Sequence, residues 1–209
     1  MYKESIGRRE FIGTGAKAAL VLSLPALGGL SCGRAAVAKK EEAEVPSRIV
    51  MVGDKEPGEP LIMSGRIFTP DGARPLSGIN LYVYQTDVTG RYTTSGGDNR
   101  NTRLHGLMRT DTAGRYEFRT IKPGSYPQTR NPSHIHAYVS GPGYPEYWID
   151  EYLFDDDPFV LEEVRQRYKD MGAFSPIIKL TRSSEGVLRG TRDMKIERCS
   201  KNCTGRGES

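Results

Sequence analysis

From residue 61 onward the chain consists of short runs in which apolar and polar residues alternate, separated by Asp71-Gly72, Thr89-Gly90, Ala113-Gly114 and Pro123-Gly124. On a strand, side chains two apart share a face, so a period of two buries one face and wets the other. The glycine pairs supply the turns between such runs. This pattern predicts strands over 63–68, 79–85, 107–109, 116–119, 134–139, 147–154 and 177–180, with a late pair at 186–189 and 193–197. It predicts one helix, with Asp157 as cap, Pro158 at the first position, Val160, Leu161, Val164 and Tyr168 on one side, and Gly172 at the end. Many short strands with little helix give an all-β fold, an antiparallel β-sandwich with one short helix.

The first 38 residues read as an export signal. Arg8-Arg9 forms a basic pair, an apolar run follows to Leu30, and Ala36-Val37-Ala38 offers a small-residue cleavage site. The arginine pair resembles the twin-arginine class, which places the mature protein in the periplasm or outside the cell. Leu30-Ser31-Cys32-Gly33 gives a rival reading, a lipid anchor at Cys32. Residues 39–60 are charged and carry Pro46, Pro57 and Pro60, and read as a linker. The domain is expected over 61–198 and a flexible tail over 199–209. Cys199 and Cys203 in that tail read either as a short-loop disulfide or as two free thiols. No stretch after the signal is apolar enough to span a membrane.

Charge excludes one class of function. The whole chain carries 30 basic and 26 acidic residues. Removing the signal takes out Lys3, Arg8, Arg9, Lys17 and Arg34 with Glu4 and Glu10, leaving 25 basic and 24 acidic residues. The basicity belongs to the signal, and nothing predicts nucleic-acid binding.

His134-Ile135-His136 carries the chemistry. At positions i and i+2 of a strand both imidazoles reach the same side, with Ile135 turned into the opposite layer. Two of the three histidines in the chain are here. By itself the pair fits a metal site or two polar residues on a wet face. Tyr126 adds a second donor type. It follows Lys122-Pro123-Gly124-Ser125 and precedes Pro127, so prolines brace its turn on both sides. A bound cation favours the phenolate, a hard oxygen donor suited to ferric iron. His105 reads as structural or pocket-lining, and Asp155-Asp156-Asp157 as a solvated turn with a helix cap in place of a calcium site.

Two stretches now carry a resemblance: Arg109-Thr-Asp-Thr-Ala-Gly-Arg-Tyr-Glu-Phe-Arg-Thr-Ile-Lys-Pro-Gly-Ser-Tyr126-Pro, and Pro132-Ser-His134-Ile-His136. Over residues 61–160 the chain resembles the intradiol ring-cleavage dioxygenases, whose sandwich is prealbumin-like. The resemblance implies one Fe(3+) per chain held by two tyrosines and two histidines. Thr89-Gly90-Arg91-Tyr92 matches the family motif for the first tyrosine. Tyr92 and His134 would be equatorial, Tyr126 and His136 axial, with Tyr126 leaving the metal to help deprotonate the substrate. The implied reaction splits catechol-type ortho-diols with O2 to muconate-type diacids, without an organic cofactor. Relatives form dimers or larger assemblies, so a homo-oligomer stays open, although the chain lacks the long N-terminal helical region of one branch.

Several positions depart from that pattern. The family places an arginine three residues before the first histidine; here Asn131 stands there and Arg130 one place earlier, with Arg130 expected to take the catalytic role. Seven residues separate Tyr126 from His134, which shortens the pocket loop. Glu151 stands where the family carries an active-site glutamine. Two other readings fit part of the pattern: a non-catalytic prealbumin-like binding module, and a copper or zinc protein built on His134 and His136.

Overall fold

The computed structural model describes residues 44–94 and 97–197. The expected export signal, the Cys32 alternative and the tail with Cys199 and Cys203 lie outside the described residues. Within them run β1 (Arg48–Val50), β2 (Pro60–Phe68), β3 (Asn80–Gln85), β4 (His105–Arg109), β5 (Arg115–Ile121) and β6 (His134–Gly141). After these come β7 (Tyr144–Phe154), α1 (Glu162–Tyr168), β8 (Ile177–Ile178), β9 (Thr181–Arg182), β10 (Leu188–Thr191) and β11 (Met194–Lys195). One sheet has the order β1-β5-β2-β10-β9 with β11 also on β2, and the other has the order β4-β3-β6-β7-β8. The long central pairs are antiparallel, while β1, β8, β10 and β11 add parallel pairings.

Alternation places the core. Leu61, Met63 and Ile67 of β2 and Tyr116 and Phe118 of β5 face Leu81, Val83, Ile135, Ala137 and Val139 of the other sheet in one apolar cluster. Burying each large side chain stabilises by about 1.5–3 kcal/mol. A polar thread crosses this core. The Tyr152 hydroxyl donates to the Tyr116 hydroxyl at 3.0 Å, which donates to the Arg192 carbonyl at 2.6 Å. Burial pushes the Tyr152 hydroxyl up to about 12, against the opposing pull of the Arg192 charge. Residue 65 has to be glycine because a Cβ there would lie 1.7 Å from the Arg192 carbonyl oxygen.

Four expectations change on contact with the structure. Part of the stretch read as a linker is β1, paired in parallel with β5 through Arg48 and Glu117. The strand expected over 177–180 is two short ones, β8 and β9, in different sheets. The helix begins at Glu162, with Leu161 as its N-cap, four residues after the expected cap, and no side-chain cap. Asp157 is not in a solvated turn: it is 7% exposed, and its carboxylate accepts from the Ser133 backbone N–H at 2.9 Å and the Ser133 hydroxyl at 2.8 Å. Asp155 and Asp156 do face solvent, where they pair with Arg165 and Lys122. Asp157 Oδ1 still accepts locally from the Phe159 N–H at 2.8 Å, but the turn it caps ends before the helix begins, while Oδ2 serves Ser133.

Candidate metal centre

Two turns carry the tyrosines. In the first, Asp87 Oδ1 accepts from the Thr89 N–H at 2.8 Å, the Thr89 hydroxyl at 2.7 Å and the Arg91 N–H at 3.2 Å. Gly90 closes this turn at φ +75°, and an added Cβ would sit 1.8 Å from the Ser125 carbonyl oxygen. In the second, a Cβ on Gly124 would lie 2.4 Å from the Val88 carbonyl oxygen. The Gly124 N–H donates to the Asp87 carbonyl at 2.9 Å, and the Thr86 hydroxyl donates to the Gly124 carbonyl at 2.9 Å. The two turns therefore touch backbone to backbone, which only residues without a Cβ permit. That contact brings the Tyr92 and Tyr126 hydroxyls to 2.6 Å.

The histidines come from β6, whose odd positions face the core. His134 and His136 point to the opposite side, next to the tyrosines. His136 Nε2 lies 2.8 Å from the Tyr92 oxygen, 3.2 Å from the Tyr126 oxygen and 3.1 Å from His134 Nε2. His134 Nε2 lies 3.1 Å from the Tyr126 oxygen. All four of Tyr92, Tyr126, His134 and His136 are thus brought together. Arg130 is exposed on the turn after Tyr126 and is not among the groups that meet there. His105 lies apart, with Nδ1 2.5 Å from the Thr102 carbonyl.

The tautomers follow from the partners. His134 Nδ1 is 2.7 Å from the Pro132 carbonyl, which can only accept, so Nδ1 carries the proton and Nε2 presents a lone pair. His136 Nδ1 lies 3.2 Å from Glu151 Oε1, and a carboxylate likewise only accepts, although the ring N–H is not aimed straight at it. Two bare nitrogens therefore face each other at 3.1 Å, with only two hydroxyl protons to share among four heavy atoms. A cation in the middle removes that repulsion. Metal–ligand bonds of about 2.0–2.2 Å place neighbouring donors about 3 Å apart, as these are. Carbonyl and carboxylate partners on the outer imidazole nitrogens are the usual support of histidine ligands. The residues present fit a metal ion.

Electrostatics agree with that donor set. Burial, then the hydrogen bond with Tyr126 and the charges of Tyr126, Tyr84 and Glu151, push the Tyr92 hydroxyl far above the usual phenol range. The phenolate therefore needs a cation beside it. Burial holds His134 below the usual imidazole value against the opposing charge of Glu151, so the neutral, ligating form is favoured. Burial raises Glu151, but the contact with His136 and the charges of His134, His136 and Arg192 outweigh it and hold the carboxyl below its usual value.

Sequence reasoning missed two supporting residues. Tyr84 pairs with His136 across β3 and β6, and its ring stacks on the imidazole at 4.6 Å. The alternation of β3, with Leu81 and Val83 inward, was a signal for it. Asp157 holds Ser133, the residue before His134, from 24 positions away, and no local pattern announces it.

A family model described as "Dioxygenase" matches residues 34–187. Catechol 1,2-dioxygenase 2 of Acinetobacter lwoffii is 31% identical over 130 residues, 52% of this chain and 47% of that protein. The protocatechuate 3,4-dioxygenase beta chain of Burkholderia cepacia is 29% identical over 163 residues, 73% of this chain and 61% of that one. This chain thus spans less than two thirds of either relative. Among solved structures, the dioxygenase domain of a dioxygenase carbohydrate-binding protein fusion from Streptomyces sp. SirexAA-E is similar at TM-score 0.56 and 28% identity, covering 76% of this chain and 92% of that one. With a match running through both sheets and every one of the four convergent side chains, the chain belongs to the intradiol dioxygenase family.

Proposed function

We propose that this chain is a non-haem ferric dioxygenase that cleaves catechol-type ortho-diols with O2 between the two hydroxylated carbons, giving muconate-type diacids. Tyr92, Tyr126, His134 and His136 would hold one iron. The observation that carries this reading is the pair of histidine Nε2 atoms 3.1 Å apart, flanked by two phenol oxygens. Two phenolates and two imidazoles form a hard, anionic set suited to Fe(3+). When bound, the iron supplies Lewis acidity and a template for the diol and dioxygen.

The chain's own groups do the rest. Tyr92 is half-buried behind the Gly90–Gly124 contact, which holds its turn in place. Pro132 and Glu151 hold the two imidazoles in the ligating tautomer. Tyr126 stands at the edge of the exposed stretch 127–131, where its oxygen would be the donor most accessible to an incoming diol. As a phenolate it takes a proton from an incoming diol hydroxyl. Tyr84, stacked on His136, and Trp148, 6.1 Å from the same ring, line the adjoining aromatic face.

One observation favours a second reading. His134, His136 and Glu151 offer ligand atoms within 4.8 Å of one another, which fits a copper or zinc ion. Glu151 meets His136 at Nδ1, however, on the other side of the ring from the shared Nε2 position. We also place the mature protein outside the cytoplasm, on the Arg8-Arg9 signal.

Metal content and the visible spectrum of the purified protein test the proposal. About one iron per chain and a wine-red tyrosinate band, shifted by added catechol, are expected. A protein that stays colourless after ferric loading would overturn the ligand assignment, and stoichiometric copper or zinc would favour the second reading.

A further inference from the structure

Glu151 sits beside an irregularity in the sheet. Ile135 pairs with Tyr152 and Ala137 with Ile149, so His136 alone stands opposite both Asp150 and Glu151. This β-bulge keeps Ile149 and Tyr152 on the core side and leaves Glu151 on the face of His136. Its Oε1 lies 3.2 Å from His136 Nδ1, and its side chain is 26% exposed. His134, in contrast, has a neutral carbonyl for the same purpose. The two histidines of one site are therefore supported unequally, one by a dipole and one by a full charge.

The charge of Glu151 is not cancelled by contact with a cation. Arg192 acts on it from a distance while stacked over the Tyr152 ring at 4.5 Å, and it forms no ion pair among the described residues. Arg100, on the same aromatic face at 4.0 Å from the Tyr138 ring, is paired with Glu146 at 2.9 Å. Arg91 and Arg130 beside the tyrosines are exposed. A charge in water acts through a dielectric about fourfold higher than that around a partly buried group. Glu151 therefore outweighs either arginine at equal distance.

Resting on the dioxygenase reading above, we propose that Glu151 is a positioning and specificity-determining residue: it holds His136 in the Nδ1–H form, and its charge makes the site prefer catechols without a carboxylate to carboxylated ones. Two unit charges about 8 Å apart change affinity by a few-fold to about thirtyfold over the range of dielectric between water and a partly buried site.

The test compares iron-loaded wild type with Glu151→Gln and Glu151→Ala. Glutamine keeps the size and an acceptor for Nδ1–H but loses the charge; alanine loses both. The readouts are iron affinity by chelator competition, the position of the visible band, and kcat/KM for catechol against 3,4-dihydroxybenzoate. For Glu151→Gln we expect near-native iron affinity, a displaced band, and a catechol preference reduced roughly tenfold. For Glu151→Ala we expect iron held about 10–100-fold more weakly. A Glu151→Gln protein with unchanged preference overturns the specificity role, and a Glu151→Ala protein that binds iron as tightly as wild type overturns the positioning role. A wild type without iron, or without turnover of any catechol, instead defeats the dioxygenase reading itself.

Discussion

Asp157→Ala should be strongly destabilising, and the size of the loss can be worked from three contacts. Oδ2 accepts from the Ser133 N–H at 2.9 Å and the Ser133 hydroxyl at 2.8 Å, and Oδ1 accepts from the Phe159 N–H at 2.8 Å. Hydrogen bonds to a charged group are worth about 1.5–3 kcal/mol each, and a buried donor left alone costs about 1–3 kcal/mol. Ser133 is 3% exposed, so its two donors have no ready access to water after truncation. The expected loss is about 3–5 kcal/mol, a large part of the roughly 5–15 kcal/mol that stabilises a domain. The site should suffer as well, because Ser133 is bonded directly to His134 and follows Pro132, whose carbonyl orients that imidazole. Urea unfolding of the metal-free protein reads the first effect as a lower midpoint at unchanged slope. Chelator competition reads the second as iron held at least tenfold more weakly. Asp157→Asn keeps one acceptor oxygen and should fall between wild type and alanine. A loss under about 1 kcal/mol for the alanine variant would refute the reasoning, since it would mean that neither Ser133 donor depends on this carboxylate.

Gly90→Ala should cost about 2 kcal/mol or more, since φ is +75° and the new Cβ would lie 1.8 Å from the Ser125 oxygen; the unfolding midpoint should drop and the visible band should weaken, as Tyr92 and Tyr126 part. Tyr126→Phe should keep part of the iron, on three remaining donors, but lose most turnover; normal kcat in the iron-loaded variant would contradict the role given to this hydroxyl. A pH effect follows from His134, which burial holds below the ordinary imidazole value of about 6.5. Because the unfolded chain takes up this proton first, the metal-free protein keeps the full contribution above about pH 6.5 and loses it as pH falls through the lower folded value. Iron affinity should fall in the same direction, and an affinity constant from pH 8 to pH 5 would show that His134 Nε2 is not a ligand.

The central strands were legible because both faces of each obey one rule. Leu81 and Val83 turn inward and Tyr82 and Tyr84 outward, and the same parity puts Ile135 in the core and both histidines outside. The peripheral pieces were not legible for a physical reason. β1 is three residues long in a segment rich in proline and charge, and it exists because the edge of β5 offers unpaired backbone groups beside Glu117. A strand that short carries too little periodicity to be seen. The helix start failed differently. Asp157-Pro158 has the local chemistry of a helix entrance and does cap a turn through the Phe159 N–H, but that turn stops short of the helix and the other carboxylate oxygen is engaged by Ser133.

The candidate site divides along the same line. The shared direction of His134 and His136 is local, set by two residues on one strand, so the sequence alone predicts it. The approach of Tyr92 to Tyr126 is set by the close contact of two turns whose glycines lie 34 positions apart, and only the resemblance brought these residues together beforehand. The partnership of Glu151 with His136 is a third kind. A regular strand with Tyr152 facing inward would turn Glu151 outward and Asp150 inward, with Ile149 in water. The bulge instead lets Ile149 pack against the core and keeps Asp150 exposed beside Glu151. An apolar residue seeking the core thus stabilises the irregular register that keeps Asp150 out of the core, whereas Glu151 would face His136 in either register. Removing the apolar demand at position 149 should loosen that register and turn Asp150 toward the core, while the carboxylate beside His136 keeps its face.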